Sequence, residues 1–274
     1  MKEGCSCATM SNTSIHTFAV LAYKESAYIE ECIKSLMNQT VKSTIVITTS
    51  TPSSYLKAIA DNFNLDLLVN PICGGIASDW NFALQSCQGK YITLAHQDDV
   101  YFPEYTQQCM SLADRHQDVL ITFCDYAEIH NGNVVDNRLI LAIKKAILTT
   151  FFPFQCAVES KNVKKMLLSF SSPIPCPSVM FNMEKLRDFS FSSAFQINLD
   201  WDAWLRIAST SGKFIYTKKR LMAHRIHAES ETTSGINDNR RSEEDLRIFS
   251  SIWPQPIAKG LFYLYRLSYK SNHG

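Results

Sequence analysis

The chain has 274 residues, of which 46% are hydrophobic and 19% are charged, and its formal net charge is +1. Such a chain can bury a sizeable core, which excludes general disorder and favours one large domain or one domain with an appendage. A net charge this close to zero gives no global basis for binding nucleic acid. We therefore expect no nucleic-acid partner, and any polyanion site to be local.

The nine cysteines are scattered, odd in number and without a C-x-x-C pair, which predicts reduced thiols and a cytoplasmic protein. Residues 1–16 are polar and lack the apolar run of a signal peptide. No apolar run elsewhere is long enough to span a bilayer. We expect a flexible N-terminal tail over residues 1–16 and no integral membrane segment.

Apolar strands alternate with amphipathic helices before residue 90. The predicted elements are strand Thr17–Ala22, a helix from about Ala27 capped by Ser26, strand Thr44–Thr48, helix Tyr55–Phe63, strand Leu65–Val69 and helix Ala77–Cys87. This alternation indicates an α/β fold with a parallel sheet and right-handed crossovers.

The predicted elements are less regular in the rest of the chain. They are strand Tyr91–Ala95, helix Glu104–His116, strand Val119–Cys124, a hairpin over Tyr126–Val135, helices within 138–170, a Pro-rich loop over 171–182 that enters a strand, helix Asn198–Ser209, strands Lys213–Tyr216 and Leu221–Arg225, and a charged helix around Glu243–Phe249. The last segment, Ile257–Lys270, is apolar and basic. It predicts either contact with an anionic membrane surface or a docked terminal helix.

The stretch Tyr91–Phe102, YITLAHQDDVYF, is a buried strand that ends abruptly in four polar residues. Ligands of open α/β sheets bind beyond the carboxyl ends of such strands. Two acids there, Asp98 and Asp99, indicate a site for a hard cation that carries phosphates. In the alternative, the acids cap a helix that begins at Pro103. This stretch alone leaves both interpretations open.

Four ordered segments resemble glycosyltransferase family 2, the inverting nucleotide-sugar-dependent enzymes of the GT-A fold. They are LAYKESAYIEECIKSLMNQT, GGIASDWNFALQSCQGKYITLAHQDDVYF, NLDWDAWLRIASTSGKFIY and HRIHAESETT, which together run from about Thr17 to Thr233. The resemblance implies a GT-A (Rossmann-like), mostly parallel sheet flanked by helices, with a C-terminal helical extension on the acceptor side. It implies a nucleotide-sugar-binding half at 17–136, an acceptor and catalytic half of the same domain at 137–250, and an amphipathic tail at 251–274.

The resemblance also implies a metal site and a catalytic base. Asp98 corresponds to the later Asp of the metal-binding Asp-x-Asp motif, and His96 stands where the family has the first Asp. His227 corresponds to a late His and is preferred over His224 as a further ligand of Mn²⁺ or Mg²⁺. Asp200 corresponds to the catalytic base, although it could instead merely cap its helix. Asp202 is expected to pair with Arg206.

The donor residues follow from the same resemblance, whereas the acceptor residues are expected because sugar faces stack on aromatic rings. The expected donor contacts are Ala22, Tyr23, Glu25, Thr49, Asp79, Asn81, His96, Gln97 and Asp98. The expected acceptor contacts are Trp201, Pro177 and Ser178, with Trp204 in the core. Strand two ends in Thr48 and Thr49 where the family has acids, and a UDP-sugar is the favoured donor.

The implied function is transfer of a sugar to a glycan or lipid-linked glycan in surface polysaccharide or glycoconjugate synthesis. One alternative is a non-catalytic module that binds sugar nucleotides or glycans, because His96 replaces an acid. Another is a sugar nucleotidyltransferase, which LAYKES disfavours because it lacks a Gly-rich loop. The implied location is cytoplasmic, with peripheral membrane contact through the C-terminal tail.

Overall fold

The computed structural model describes residues 15–136, 138–153, 156–227 and 240–267, and within these ranges ten strands form one sheet. The strands are β1 (His16–Leu21), β2 (Thr44–Thr49), β3 (Asp66–Val69), β4 (Tyr91–His96), β5 (Val100–Tyr101), β6 (Val119–His130), β7 (Asn133–Val135), β8 (Ala157–Val158), β9 (Val179–Asn182) and β10 (Lys213–Ile226). The helices are α1 (Ile29–Met37), α2 (Ser54–Phe63), α3 (Ile76–Ser86), α4 (Tyr105–Asp114), α5 (Leu139–Phe151), α6 (Lys161–Leu168), α7 (Leu199–Ala208), α8 (Arg240–Ile252) and α9 (Gln255–Leu267), with a 3₁₀ turn at Cys176–Ser178.

The main path of the sheet has the order β3-β2-β1-β4-β9-β6-β10-β5. Strands β3, β2, β1 and β4 are parallel to one another, as are β6 and β10, and the antiparallel strand β9 separates the two groups. The predicted parallel sheet is therefore confirmed. Because β9 is antiparallel to both its neighbours, β4 and β6 run in the same direction. The carboxyl ends of β1, β4, β6 and β10 thus meet at one edge.

Helices cover both faces of the sheet, as buried parallel strands require. In β1, Phe18 and Val20 pack in one hydrophobic cluster with α1, α2 and α4. Ala19 points to the other face and packs with α3, α6 and α7. This period of two explains why the strand is apolar at every one of these positions. The molecule is a three-layer α/β structure.

Two strands are longer than the sequence pattern predicted. Strand β6 continues past Cys124 through Asp125, whose buried carboxylate pairs with Lys145 at 3.2 Å. Strand β10 is continuous through Lys218–Arg220, where shifts in register against β6 accommodate the polar residues. The prediction of two separate strands, Lys213–Tyr216 and Leu221–Arg225, is therefore wrong. A shift in register can accommodate charged residues without ending a strand.

The predicted boundaries of α2, α3, α4 and α7 are correct to within two residues, whereas α8 is three residues longer at each end than predicted. One predicted cap is wrong. Helix α1 begins at Ile29, and the Ser26 hydroxyl accepts from the Tyr28 N–H (3.2 Å) without capping the helix. Ser53 does cap α2, accepting from the Leu56 N–H at 3.2 Å. Asn131 and Gly132 have positive φ angles, so the Asn-Gly turn closes the hairpin of β6 and β7 as predicted.

Helix α7 is fixed at its C-terminal end by a buried lysine. Lys164 on α6 is fully buried, and its ammonium donates to the carbonyl oxygens of Thr210 (2.8 Å) and Gly212 (2.7 Å). Burial lowers the pKa of Lys164 to about 8. These two bonds satisfy the carbonyl oxygens that follow α7, so the end of this helix is held independently of its beginning.

The C-terminal helix α9 docks on the molecule with one face only. Ala258 and Phe262 are buried against the core, whereas Tyr263 (64%) and Leu264 (67%) are largely exposed. Among the described residues no helix has both the length and the apolar character needed to cross a bilayer. The expected N-terminal tail lies outside the described residues, apart from Ile15 and His16. The part of the motif HRIHAESETT that follows His227 lies outside them as well.

Candidate active site

The turn after β4 is clamped against β10. Strand β5 follows Asp98 and Asp99 directly and pairs antiparallel with β10, so that Tyr101 lies opposite Met222. This pairing brings His224, Arg225 and His227 at the end of β10 next to the two acids. The polar residues of two distant motifs therefore share one sheet edge.

Asp99 is fully buried and is compensated by β10. Its Oδ1 atom accepts from His224 Nδ1 (2.8 Å) and from the Arg225 N–H (3.0 Å). Burial by itself would lower the pKa of His224, but the charge and hydrogen bond of Asp99, with Asp98 nearby, raise this pKa to about 9. His224 is therefore an imidazolium at neutral pH and neutralises one of the two acids.

Asp98 is held by both its backbone and its side chain. Its Oδ2 atom lies 2.8 Å from His227 Nε2, and its carbonyl oxygen accepts from Arg225 Nε at 2.9 Å. Burial favours a higher pKa for Asp98, but the imidazoles of His96, His224 and His227 outweigh it and hold this pKa below its usual value. Helix α4 has Glu104 at its N-terminus and no side-chain cap. The interpretation of the two acids as helix caps is wrong.

Arg225 joins this turn to the opposite helix. Its Nη2 atom lies 2.6 Å from Glu31 on α1, and its guanidinium stacks over the Tyr28 ring at 4.3 Å. Arg225 is 6% exposed, so this ion pair is shielded on the arginine side. The sequence pattern predicts no role for Arg225 or Glu31. Arg225 stands inside the HRIH motif, whereas no local pattern marks Glu31 as its partner.

Three side chains at this edge form a candidate site for a divalent cation. One ligand atom each from His96, Asp98 and Asp99 lies within 4.8 Å of the others. Within the described part of the chain, the buried atoms His96 Nε2 and Asp99 Oδ2 have no hydrogen-bond partner. Burial lowers the pKa of His96 despite the nearby carboxylates, so its ring is neutral and has a lone pair for a metal. One nitrogen and two carboxylate oxygens fit Mn²⁺ or a similar cation.

This geometry changes the expected ligand set in one respect. His227 was expected to complete the metal shell together with Asp98 and His96. In the structure its imidazole contacts the Asp98 carboxylate, while Asp99 supplies the third atom of the cluster. His227 therefore lies where it orients Asp98.

On the donor side, Gln97 binds the loop after β1. Its amide accepts from the Tyr23 N–H (3.1 Å) and donates to the Tyr23 carbonyl (3.0 Å), while the Ala22 N–H donates to the Thr48 carbonyl (2.9 Å). These two N–H groups therefore already bond within the protein, and the donor contact expected of main-chain groups near Ala22 and Tyr23 stays a prediction. The Tyr23 ring is 49% exposed, and Glu25 is exposed in the same loop.

Polar side chains at the ends of β2 and β3 converge on Asp79. Its carboxylate accepts from the Ser50 hydroxyl (2.8 Å) and the Asn70 amide (2.9 Å). Thr49 is nearby in sequence, and its hydroxyl accepts from the Thr51 N–H at 3.0 Å. These contacts form a polar patch beside the loop of Tyr23.

Asn81 was expected in the donor site, but it anchors a loop. Its amide donates to the Phe191 carbonyl (2.9 Å) and accepts from the Phe191 N–H (2.6 Å). One hydrogen and one oxygen lone pair of the amide are thus used, and the direct donor contact of Asn81 stays a prediction. The loop between β9 and α7 is held to α3 by this exchange.

Asp200 lies in the first turn of α7, and its Oδ1 atom accepts from the Trp201 N–H at 2.7 Å. Burial raises the pKa of Asp200 to about 6, and the Trp201 hydrogen bond and the charges of Lys144 and Arg241 limit that rise. Burial also raises the pKa of the Cys176 thiol, with further contributions from Asp200 and Asp99. The negative charges of both carboxylates thus disfavour ionisation of this thiol.

The expected acceptor residues are not accessible. Trp201 is fully buried, and its indole donates to the Leu168 carbonyl at 2.8 Å. Trp204 is equally buried and donates to the Ile174 carbonyl at 2.9 Å. Residues three apart share one helix face, so the sequence offered no basis for separating the two rings. Pro177 and Ser178 are buried in the 3₁₀ turn as well, and the acceptor assignment of all three residues is wrong.

The neighbouring acid Asp202 pairs with Arg206 at 2.8 Å, which confirms its predicted structural role. The two acids of this helix therefore have different surroundings. Asp200 is influenced by the charges of Lys144 and Arg241, whereas Asp202 forms an ion pair with Arg206.

Solved structures define the class of this fold. The structure of S. aureus TarS in complex with UDP-GlcNAc matches with a TM-score of 0.61, covering 90% of this chain and 70% of that chain at 16% identity. A mannosyltransferase from Pyrobaculum calidifontis, in complex with GDP-Man and Mn²⁺, matches with a TM-score of 0.62, covering 93% and 71% at 16% identity. The α/β sheet and its helices are those of GT-A glycosyltransferases.

The sequence places the chain within this class. The family model for glycosyl transferase family 2 matches residues 17–168, and the chain belongs to that family. An uncharacterized glycosyltransferase of Rickettsia prowazekii (strain Madrid E) is 23% identical over 237 residues, which is 81% of this chain and 67% of the relative. The chain spans only 42% of the longer S. aureus TarS chain.

The candidate cation site makes a direct prediction. We expect Asp98→Asn to weaken Mn²⁺ binding about tenfold or more, because the change removes one of two ligand charges and the partner of His227. The dissociation constant can be measured by electron paramagnetic resonance of free Mn²⁺. Asp61→Asn, which alters an exposed acid on α2, is the control. An unchanged constant in Asp98→Asn would contradict this placement of the cation.

Proposed function

We propose that the protein is an inverting glycosyltransferase that moves a sugar from a nucleotide-sugar donor to a glycan or lipid-linked glycan. The observation that carries the proposal is the cluster of His96, Asp98 and Asp99 at the end of β4, where two buried atoms lack a hydrogen-bond partner among the described residues. An edge that can hold a phosphate-bound cation, together with Asp200 as a candidate base, supplies the two parts that this reaction needs. Synthesis of a surface polysaccharide or glycoconjugate is the proposed setting.

The donor's diphosphate would bind at the edge formed by the ends of β4 and β10. His96, Asp98 and Asp99 would hold a divalent cation, which supplies positive charge to the leaving nucleoside diphosphate. The imidazole among these ligands favours Mn²⁺ over Mg²⁺. The imidazolium of His224 offsets one carboxylate, so a bound cation leaves the site with a net positive charge for the phosphates.

The nucleoside would lie between the Tyr23 ring and the polar patch at Asp79. The exposed ring offers a face for stacking on a base. The Asp79 carboxylate, oriented by Ser50 and Asn70, can accept from the imide N–H of a uracil. These features support a UDP-sugar as the donor, as do the UDP-GlcNAc and UDP complexes of S. aureus TarS.

Asp200 is the proposed catalytic base. In an inverting transfer the acceptor hydroxyl attacks the anomeric carbon from the side opposite the leaving group, and its proton passes to a carboxylate oxygen of Asp200. A pKa of about 6 keeps Asp200 ionised at neutral pH and makes it a stronger base than an ordinary aspartate. The acceptor contacts expected from the sequence are buried, so the acceptor surface must come from other residues.

One observation favours a second function, a non-catalytic module that binds sugar nucleotides. His96 contributes no negative charge where family members have an acid, which weakens the case for a tightly bound cation. Such a module would bind a donor with or without EDTA and would turn over no acceptor. The raised pKa of Asp200 has no purpose in that function, so we favour the enzyme.

The base assignment predicts a specific loss. We expect Asp200→Asn to retain donor binding and to lose transfer by about a hundredfold or more, because the amide cannot take the proton. Wild-type kcat should fall as the pH drops through about 6, where Asp200 becomes protonated. Asp202→Asn is the matched control on the same helix. Full activity of Asp200→Asn, measured by nucleoside diphosphate release with an acceptor extract, would refute the assignment.

A peripheral membrane contact through α9 belongs to the same proposal, because a lipid-linked acceptor is presented at a bilayer. The outer face of the helix exposes Ile257, Tyr263 and Leu264, with the basic residues Lys259 and Arg266 on one flank. Apolar side chains beside basic ones match the surface of an anionic bilayer. The proposed site of contact is the cytoplasmic face of the membrane.

Binding to vesicles tests this contact. We expect the protein to sediment with phosphatidylglycerol vesicles and less with phosphatidylcholine vesicles, because Lys259 and Arg266 require anionic lipid. The double variant Tyr263→Ser, Leu264→Ser should lose most of this binding, since it removes the exposed apolar area that the bilayer would bury. Val134→Ser, which alters an exposed apolar residue on the hairpin, is the control. Equal binding by the two variants would contradict the contact.

A further inference from the structure

Helix α8 binds the turn that leads into α7 through hydrogen bonds. The Glu244 carboxylate accepts from three consecutive backbone N–H groups, those of Gln196 (2.7 Å), Ile197 (2.9 Å) and Asn198 (2.8 Å). Bonds from N–H groups to an ionised carboxylate are shorter and stronger than neutral ones. One side chain therefore satisfies the backbone of the whole turn.

The next residue on α8 holds the turn from a second direction. Asp245 is fully buried, and its Oδ1 atom accepts from the Asn198 side-chain amide at 2.7 Å. Asn198 occupies the N-cap position of α7 but makes no side-chain cap bond, because its amide is turned toward Asp245. Adjacent helical residues point about 100° apart, so the two carboxylates fix both the position and the orientation of the turn.

Two arginines of α8 make further contacts with the residues that precede α7. Arg247 donates to the Ala194 carbonyl (2.9 Å) and lies over the Phe195 ring, and Arg240 donates to the Gln196 side chain (2.7 Å). The segment 194–198 is thus bound to α8 at nearly every residue. Its last residue lies two positions before Asp200.

The rest of α7 is secured without Glu244. The indoles of Trp201 and Trp204 donate to carbonyl oxygens of the core, and Lys164 binds the two carbonyl oxygens after the helix. Loss of the Glu244 contacts would therefore loosen the entrance of the helix and leave its packing in place. The consequence falls on Asp200, which lies in the first turn.

We propose that Glu244, supported by Asp245, is a positioning residue that fixes Asp200 for proton abstraction from the acceptor. This inference rests on the proposed function of Asp200 as the base. A displacement of a catalytic group by about 1 Å is enough to lower a rate by about two orders of magnitude. The proposed diphosphate edge is built on β4 and β10, and among the described residues it shares no hydrogen bond with the turn at Gln196–Asn198, so we expect donor binding to be independent of Glu244.

The charged surroundings of Asp200 give the proposal a second readout. The charged and titratable groups that face Asp200 are Lys144 from α5, Arg241 and Asp245 from α8, and Cys176 from the 3₁₀ turn. Burial is the main cause of the raised pKa of Asp200. A loosened turn admits water to this carboxylate, which lowers its pKa toward the ordinary value.

The test compares Glu244→Ala, Glu244→Gln and the matched control Glu243→Ala, which alters an exposed acid one residue away. We expect Glu244→Ala to lower kcat about tenfold or more with the donor KM unchanged, and to move the acid limb of the kcat profile to lower pH. Glu244→Gln keeps one carbonyl acceptor, so its kcat should lie between those of wild type and Glu244→Ala. Glu243→Ala should match the wild type.

The outcomes separate the inference from the proposed function. A wild type that transfers sugar, with Glu244→Ala equal to Glu243→Ala in kcat and pH profile, overturns the positioning role alone. An equal loss of donor binding and kcat overturns it too, because that pattern indicates general damage. A wild type without any transfer overturns the proposed function and the positioning role together. If Glu244→Ala does not fold, Glu244→Gln decides by the same kcat, KM and pH criteria.

Discussion

The compensation of two adjacent carboxylates at a buried sheet edge constrains the rest of this structure. Asp99 is fully buried, and leaving its charge unpaired there would be expensive. Strand β10 and the residue after it provide the partners. His224 binds the Asp99 carboxylate, His227 binds the Asp98 carboxylate, and Arg225 donates to the Asp98 carbonyl oxygen. The edge forms only when the chain has returned from residue 99 to residue 224, so the site depends on the complete sheet.

This compensation is incomplete in a way that matters for function. Among the described residues, one oxygen of Asp99 and one nitrogen of His96 are buried without partners, and a divalent cation would satisfy both. At the start of α7, burial makes Asp200 a better base than a solvated aspartate. The proposed reaction uses this contrast between a site that needs positive charge and a carboxylate that can take a proton.

Much of the fold followed from local pattern, because buried parallel strands and amphipathic helices have distinct periods. The αβ units, the Asn-Gly hairpin and the pair Asp202–Arg206 all depend on residues close in sequence. The continuity of β10 through Lys218–Arg220 did not follow, because it depends on pairing with a distant strand. The burial of Trp201 did not follow either, because an aromatic ring on which a sugar face can stack and a ring in the core have the same sequence pattern.

The same distinction holds for the site. The family motifs predicted that His96, Asp98 and His227 lie together. No sequence pattern predicted the ion pair of Arg225 with Glu31 or the hydrogen bonds of Glu244 to the turn at Gln196–Asn198. Contacts between residues tens to hundreds of positions apart appear only when the topology is known. Asp98 and Asp99 also do not cap the nearby helix, because His224, Arg225 and His227 bind their carboxylates instead.

We expect this edge to bind a nucleotide sugar together with a divalent cation. A thermal-shift screen of nucleotide sugars, with Mn²⁺ and with EDTA, measures this binding, because a ligand of the folded state raises the melting temperature. One donor, a UDP-sugar, should stabilise the protein, and with Mn²⁺ the shift should exceed the sum of the separate shifts. No shift with any nucleotide sugar, or the same shift in EDTA as in Mn²⁺, would contradict it.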